Sequence, residues 1–211
     1  MALLDTIIKE YVNRYNSGED AEEVYRNSIQ VARRLNLQNV SKEEIEQVAQ
    51  PFLYEWGRMG RVLGRAKFVN WRKSLANVVS RNASLLQRYA RIDLTDAGLP
   101  FKRQHIAGLY ESFRGAVSQV AATKCLHLFC PGFFPMWDTA IAGAARKERN
   151  ASGLEEFSTE DFCQFVEQIR SFIVSNSVLI SFLAEKHDKT KVKIVDEIFW
   201  WATQRPLCLI L

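Results

Sequence analysis

Asp138 and Lys124 are the residues of this chain whose types and spacing offer chemistry. The stretch Lys124-Cys-Leu-His-Leu-Phe-Cys-Pro-Gly-Phe-Phe-Pro-Met-Trp-Asp138 begins as an apolar helix and breaks at Pro131-Gly132. It then delivers one carboxylate after a loop bracketed by Pro131 and Pro135. Between Asp96 and Asp138 the only other acid is Glu111. A carboxylate among apolar and aromatic residues, one helix away from a solitary lysine, is costly to bury, and perturbed ionisable pairs gather at functional sites. Such a carboxylate can stabilise developing positive charge, and an amine held in apolar surroundings can serve as a nucleophile. Both residues have structural alternatives. Asp is a favoured N-cap, so Asp138-Thr-Ala-Ile could simply start a helix; Lys124 could be an ordinary solvent-facing lysine.

Charge is segregated along the chain. Residues 1–56 carry a net −4, residues 57–137 a net +10 and residues 138–211 a net −2, which leaves the whole at +4. Between Gly57 and Ile92 there are nine basic residues (Arg58, Arg61, Arg65, Lys67, Arg72, Lys73, Arg81, Arg88, Arg91) and no acid. A solvated helix face normally mixes signs, because opposite charges at i,i+4 help and like charges cost. A one-sided run points to an anionic partner, with phosphate backbone the commonest, or to pairing with the acidic N-terminal segment inside the fold.

At 211 residues and 47% hydrophobic, the chain can bury a substantial core. No segment reaches the roughly 18 uncharged apolar residues of a membrane span, and Met1-Ala-Leu-Leu-Asp5 is interrupted by charge too early for a signal peptide. The expectation is an intracellular protein, cytoplasmic or nuclear, with no membrane partner. Four scattered cysteines (Cys125, Cys130, Cys163, Cys208) form no CxxC pair, which argues against a disulfide framework. Cys125-x-His127-x-x-Cys130 has metal-like composition, but positions i, i+2 and i+5 of a helix do not converge, so no metal and no cofactor is expected. His127, in an apolar helix, reads as a satisfied core histidine. The terminal Cys208-Leu-Ile-Leu211 reads as a prenylation box or as an apolar tail.

The periodicity predicts an all-α fold: one compact multi-helix domain over 1–211, with 1–56 plus 138–211 forming one lobe, 57–137 a basic central lobe, and a cleft between them. Predicted helices run over residues 3–12, about 20–35, from a capping box at Ser41-Lys-Glu-Glu44, about 68–90, 102–118, 120–130, 138–148, 159–175, 177–186 and 190–203.

The order helix(102–118), tight connection, helix(120–130), loop, Asp138-Thr139-Ala140-Ile141 resembles the helix-hairpin-helix DNA glycosylase superfamily over residues 102–148. There a two-helix hairpin is followed by a loop ending in a catalytic aspartate that opens a helix. Members that also cut the strand carry a lysine at the start of the second hairpin helix, where Thr123-Lys124 falls. The family's Gly-x-Gly hairpin turn is replaced here by Val120-Ala121-Ala122, and the four-cysteine cluster of the iron–sulfur branch is missing. The resemblance implies removal of a damaged base from double-stranded DNA, with Asp138 and Lys124 as catalytic residues. Arg58, Arg61, Arg65, Lys67, Arg72, Lys73, Lys102, Arg103 and His105 become the candidate nucleic-acid contacts. Phe133, Phe134, Met136 and Trp137 line the base pocket, or else form core. Two other classes stay open: a nucleic-acid-binding helical protein without catalysis, and a helical interaction module whose basic segment meets an acidic partner.

Overall fold

The computed structural model describes residues 19–96, 103–137 and 158–203. Among them every regular element is helical. Besides two three-residue 3-10 turns (Leu37–Asn39 and Ala66–Phe68), in chain order these are α1 (Glu19–Ala32), α2 (Lys42–Pro51), a π-helical turn (Phe52–Trp56), the short α3 (Gly60–Leu63), α4 (Trp71–Arg81), α5 (Ala83–Tyr89), α6 (Arg103–Ala116) and α7 (Gln119–Phe129). They are followed by α8 (Thr159–Ser175), α9 (Ser177–Lys186) and α10 (Lys191–Thr203). The predicted helices at 3–12 and 138–148 lie outside the described residues.

Helix starts follow side chains that satisfy otherwise free amides. Ser41 Oγ accepts from Glu44 N at 3.1 Å while Glu44 accepts from Ser41 N at 2.8 Å, the reciprocal box expected at α2. Ser158 and Asp161 build the same device at α8. The helix expected over about 68–90 is instead two, α4 and α5, divided at Asn82. Asn82 leaves helical geometry (φ −104°, ψ 12°), and its side-chain amide donates to Val78 O at 2.9 Å, a local bond that competes with the helix ladder.

Helical backbone continues past the end of α2 at Pro51. Proline has no amide for the α-ladder, and the chain widens into the π turn, closed by Gly57 N on Phe52 O at 2.8 Å. Arg58 follows in the left-handed region at φ 52°, and Met59 N closes back on Leu53 O at 2.7 Å. This six-residue closure puts Arg58 where helix ends normally place glycine. A Cβ at Gly57 would lie 2.9 Å from Leu53 O, so position 57 has no room for a side chain.

One buried apolar cluster includes Tyr25 and Ile29 of α1, Trp71 and Leu75 of α4, Tyr110 and Phe113 of α6, Leu126 of α7, Phe162 of α8, Ile180 of α9 and Ile198 of α10. Tyr110 stacks on Phe162 at 4.4 Å. Among the described residues no helix is long and apolar enough to cross a membrane.

Embedded in this cluster is an ionic network that joins the first described helix to the last. Lys189 Nζ reaches Glu197 at 2.7 Å and Glu22 of α1 at 3.1 Å. Lys193, 3% exposed, reaches Glu197 at 3.0 Å and Asp196 at 3.7 Å. Its ammonium also sits 4.8 Å from the ring centres of both Tyr25 and Trp56. Burial would lower the pKa of Lys193, but Glu197 and Asp196 outweigh it and the net shift is upward. At Lys189 burial wins over Glu197, and the pKa falls from 10.5 to about 8.

Lys189 therefore titrates earlier in the folded chain than in the unfolded one. Between about pH 8 and 10.5 the unfolded chain holds more protons, so this group's contribution to stability rises with pH and is lost as pH falls back through 8. Wild type should gain stability relative to Lys189→Met between pH 7.5 and 9.5, at no more than about 1.4 kcal/mol per pH unit. Urea unfolding midpoints of the two proteins at each pH check this; parallel pH profiles would refute it.

Candidate functional site

α6 and α7 form a tight hairpin joined only by Val117-Ser118. Ser118 Oγ caps α7 by accepting from Ala121 N at 3.3 Å. Ala121 and Ala122, which stand where the resembled family has its glycine turn, are fully buried against the core.

Two polar side chains of α7 are buried, Thr123 and His127, and they lie one turn apart on the same face. Both hold the return loop that leads back from the end of α7. Thr123 Oγ1 accepts from Trp137 N at 3.1 Å and lies 3.2 Å from Trp137 O and 2.9 Å from Val120 O. His127 Nδ1 lies 2.7 Å from Phe134 O, and its Nε2 lies 2.8 Å from the Tyr25 hydroxyl of α1. A carbonyl can only accept, so Nδ1 carries the proton and Nε2 accepts from Tyr25. Burial pushes the His127 pKa down to about 3 and the Tyr25 pKa well up, the latter helped by Glu197, Asp196 and Glu22. The pair stays neutral across the physiological range.

Lys124 lies between these two clamps in sequence, in the second turn of α7. It is half-buried, and its Nζ donates to Gly57 O at 2.8 Å and sits 5.6 Å from the centre of the Trp56 ring. The π turn and the tight Gly57-Arg58 reversal thus place the candidate amine at the first residue of the basic run. Asp138 lies outside the described residues. The chain described up to it ends at Trp137, tied to Thr123, the residue before Lys124.

Seven of the nine candidate nucleic-acid contacts fall into two groups. Arg58, Arg61, Arg65, Lys67 and Lys73 are exposed. Arg72 and Arg103 are engaged internally. Arg72 Nε donates to Gln50 at 2.8 Å and pairs with Glu46 at 3.3 Å, while Arg103 bridges Glu160 and Glu167 of α8. Pairing of the basic run with the acidic N-terminal segment thus occurs at Arg72–Glu46. His105 has its Nδ1 buried with no hydrogen-bond partner. Lys102 lies outside the described residues.

The loop aromatics are packed in the core. Phe133, Phe134, Met136 and Trp137 are each 5% exposed or less. Phe133 lies 4.4 Å from the Tyr89 ring and Trp137 lies 5.0 Å from Phe165. Of the two alternatives for this quartet, the structure places it in core contacts. Cys125 and Cys130 are fully buried and burial raises both thiol pKa values, so neither is held as a thiolate. With both His127 nitrogens engaged, no Cys–His chemistry assembles on this helix.

Sequence reasoning passed over three participants: Tyr25, Trp56 and Thr123. Tyr25 and Trp56 fit their helical apolar stripes, and nothing in a stripe distinguishes a phenol aimed at a histidine from one aimed at solvent. The Thr123/His127 spacing of four was a usable signal, since two polar residues on one face of an otherwise apolar helix need partners.

Arg58 offers a test of the reversal. A non-glycine residue in the left-handed region costs on the order of 1 kcal/mol, so Arg58→Gly should raise stability by about 0.5–1 kcal/mol while removing one surface cation. If this cation contacts phosphate, the same variant should bind duplex more weakly and lower the salt slope by about one. Thermal melts with salt-dependent duplex titrations check both; a lower melting temperature would refute the strain argument.

The sequence matches no family model, and no curated protein and no solved structure matches it.

Proposed function

We propose that this chain is a DNA-repair glycosylase that removes a damaged base from double-stranded DNA, with Asp138 and Lys124 as its catalytic pair. The observation that carries the reading is the hydrogen bond that Trp137 N–H donates to Thr123 Oγ1. It anchors the approach to position 138 on the lysine's own helix, one residue from Lys124. The basic turn beginning at Arg58 abuts the same lysine through Gly57 O. A carboxylate and a phosphate-binding surface serve base removal, and an amine beside them adds strand cleavage.

The steps follow from those groups. Exposed Arg58, Arg61, Arg65 and Lys67 hold the backbone by displacing counterions, and the target nucleotide leaves the stack. The Asp138 carboxylate stabilises oxocarbenium character at C1′ as the bond to the base breaks. If the Lys124 amine, once free of its proton, attacks C1′ as the base leaves with the electron pair of its bond to C1′, opening of the C1′–O4′ bond gives a Schiff base, and elimination of the 3′ phosphate cleaves the strand. Without that attack, water takes C1′ and the enzyme is monofunctional.

A second reading is favoured by one specific observation. The loop aromatics that would receive a flipped base are packed ring against ring in the core. A non-catalytic duplex-binding protein would use the exposed basic turn and leave that packing undisturbed.

The deciding experiment uses duplexes carrying oxidised, deaminated, alkylated and abasic sites, assayed by alkali cleavage and by borohydride trapping. Alkali-labile product that requires Asp138 supports the glycosylase. Salt-sensitive binding with no product on any duplex moves the chain to the binding class.

A further inference from the structure

The polar contacts of α7 reach beyond the catalytic pair. We propose that Tyr25 and His127 are positioning residues: from α1, the Tyr25 hydroxyl fixes the His127 ring so that its Nδ1–H holds the return loop 131–137 in register on α7. This inference rests on reading position 138 as catalytic, because the loop is what leads to it.

His127 is a fully satisfied core histidine whose two partners lie on different parts of the fold, Tyr25 on α1 and Phe134 on the return loop. His127 is completely buried and both ring nitrogens are used, 2.8 Å to Tyr25 and 2.7 Å to Phe134 O. Tyr25 is in turn held by Phe52 at 5.9 Å, Trp56 at 5.3 Å and the Lys193 ammonium at 4.8 Å. The phenol cannot swing without disturbing the π turn and α10. The loop is fastened at Phe134 by His127 and at Trp137 by Thr123, so its last four residues have one anchor at each end. The charged groups facing this pair are Lys193, Asp196 and Glu197 of α10 together with Glu22 and Arg33 of α1. The phenol and the imidazole stay neutral beside them, so the hydrogen-bond direction Tyr25 to His127 to Phe134 is fixed.

Three variants of the full chain test the proposal: Tyr25→Phe, His127→Asn and His127→Leu. Asn can keep an N–H for Phe134 O; Leu cannot. Amide exchange over residues 133–137 is read against α9, which the pair does not touch, so the readout needs no activity. Exchange should quicken by roughly tenfold or more in Tyr25→Phe and His127→Leu and recover in His127→Asn, since opening of the loop no longer breaks the clamp. Nitrogen shifts of His127 should report the Nδ1–H tautomer in wild type and a mixture in Tyr25→Phe. On whichever duplex yields base release, Tyr25→Phe should lower the single-turnover rate by roughly tenfold to a hundredfold with duplex affinity unchanged, the penalty expected of a displaced catalytic group.

Loop exchange equal to wild type in Tyr25→Phe overturns the proposal. So does a loop that loosens while base release keeps its wild-type rate. If the loop loosens as expected but wild type releases no base from any duplex, the glycosylase reading fails, and the catalytic sense of positioning fails with it. The clamp measurement separates that outcome from a failure of the geometry.

Discussion

Lys124→Gln is expected to abolish borohydride-trapped adducts on abasic duplexes at a smaller cost in stability than Lys124→Met. Lys124→Met should abolish them too but destabilise the protein more. The difference follows from the hydrogen bond this side chain makes. Its ammonium donates to Gly57 O at 2.8 Å, and a charged hydrogen bond of this kind contributes about 1.5–3 kcal/mol. Glutamine keeps a donor for that carbonyl; methionine leaves it unsatisfied. If the amine is the nucleophile, neither substitute can form the Schiff base, and strand cleavage should fall by roughly 10³-fold or more. Asp138→Asn should separately lower base release by about 10²–10³-fold, the scale of one lost electrostatic stabiliser. Retained adduct in Lys124→Gln would make Lys124 a strut between α7 and the π turn and nothing more. Stability by urea unfolding, measured beside trapping, keeps the two roles apart.

The second large effect is on folding. Lys193→Met should destabilise the protein by up to about 3–5 kcal/mol, because it removes compensating positive charge from a buried ionic network in which Lys189, 2.7 Å from Glu197, is the other ammonium. The carboxylates concerned are Glu197 at 3.0 Å and Asp196 at 3.7 Å, both on the same helix. The loss should extend beyond the charge, since the ammonium also rests 4.8 Å from the Tyr25 and Trp56 rings. Replacing the partner as well, Lys193→Met with Glu197→Gln, should recover part of the stability, since a neutral pair leaves less uncompensated charge behind. A double-mutant cycle by chemical unfolding measures this coupling. Additive effects would mean that the network is solvated more than its burial implies. Lys124 and Lys193 share Trp56, so the double variant should also be assayed for trapping.

Much of the architecture was readable from local pattern. The apolar stripes and the Ser41–Glu44 box locate helices because capping and i,i+4 spacing act within a few residues. Helices expected at 159–175 and 177–186 have those bounds in the structure. The division at Asn82 escaped notice because the stripe of Leu75, Val79 and Leu86 continues in phase across the break, and only the amide's bond to Val78 O reveals it. His127 could be read as a core histidine from its apolar neighbours alone.

The rest depended on partners far away in sequence. Nothing near Tyr25 announces that its hydroxyl will meet a ring nitrogen 102 residues later. The i,i+4 spacing of Lys193 and Glu197 is legible, but it is equally that of a surface pair, and only packing against Tyr25 and Trp56 makes it a buried one. The basic run was plain as composition. Which of its members stay exposed was decided in three dimensions, where Glu46 takes Arg72; outside the run, the α8 carboxylates take Arg103. The sequence by itself determined an all-helical chain with a concentrated positive charge, because periodicity, caps and charge count are local properties. Only the tertiary structure decided that Lys124 faces Gly57, that the loop aromatics are core and that Thr123 and His127 hold the return loop. Those outcomes depend on which long-range partner satisfies each buried polar group.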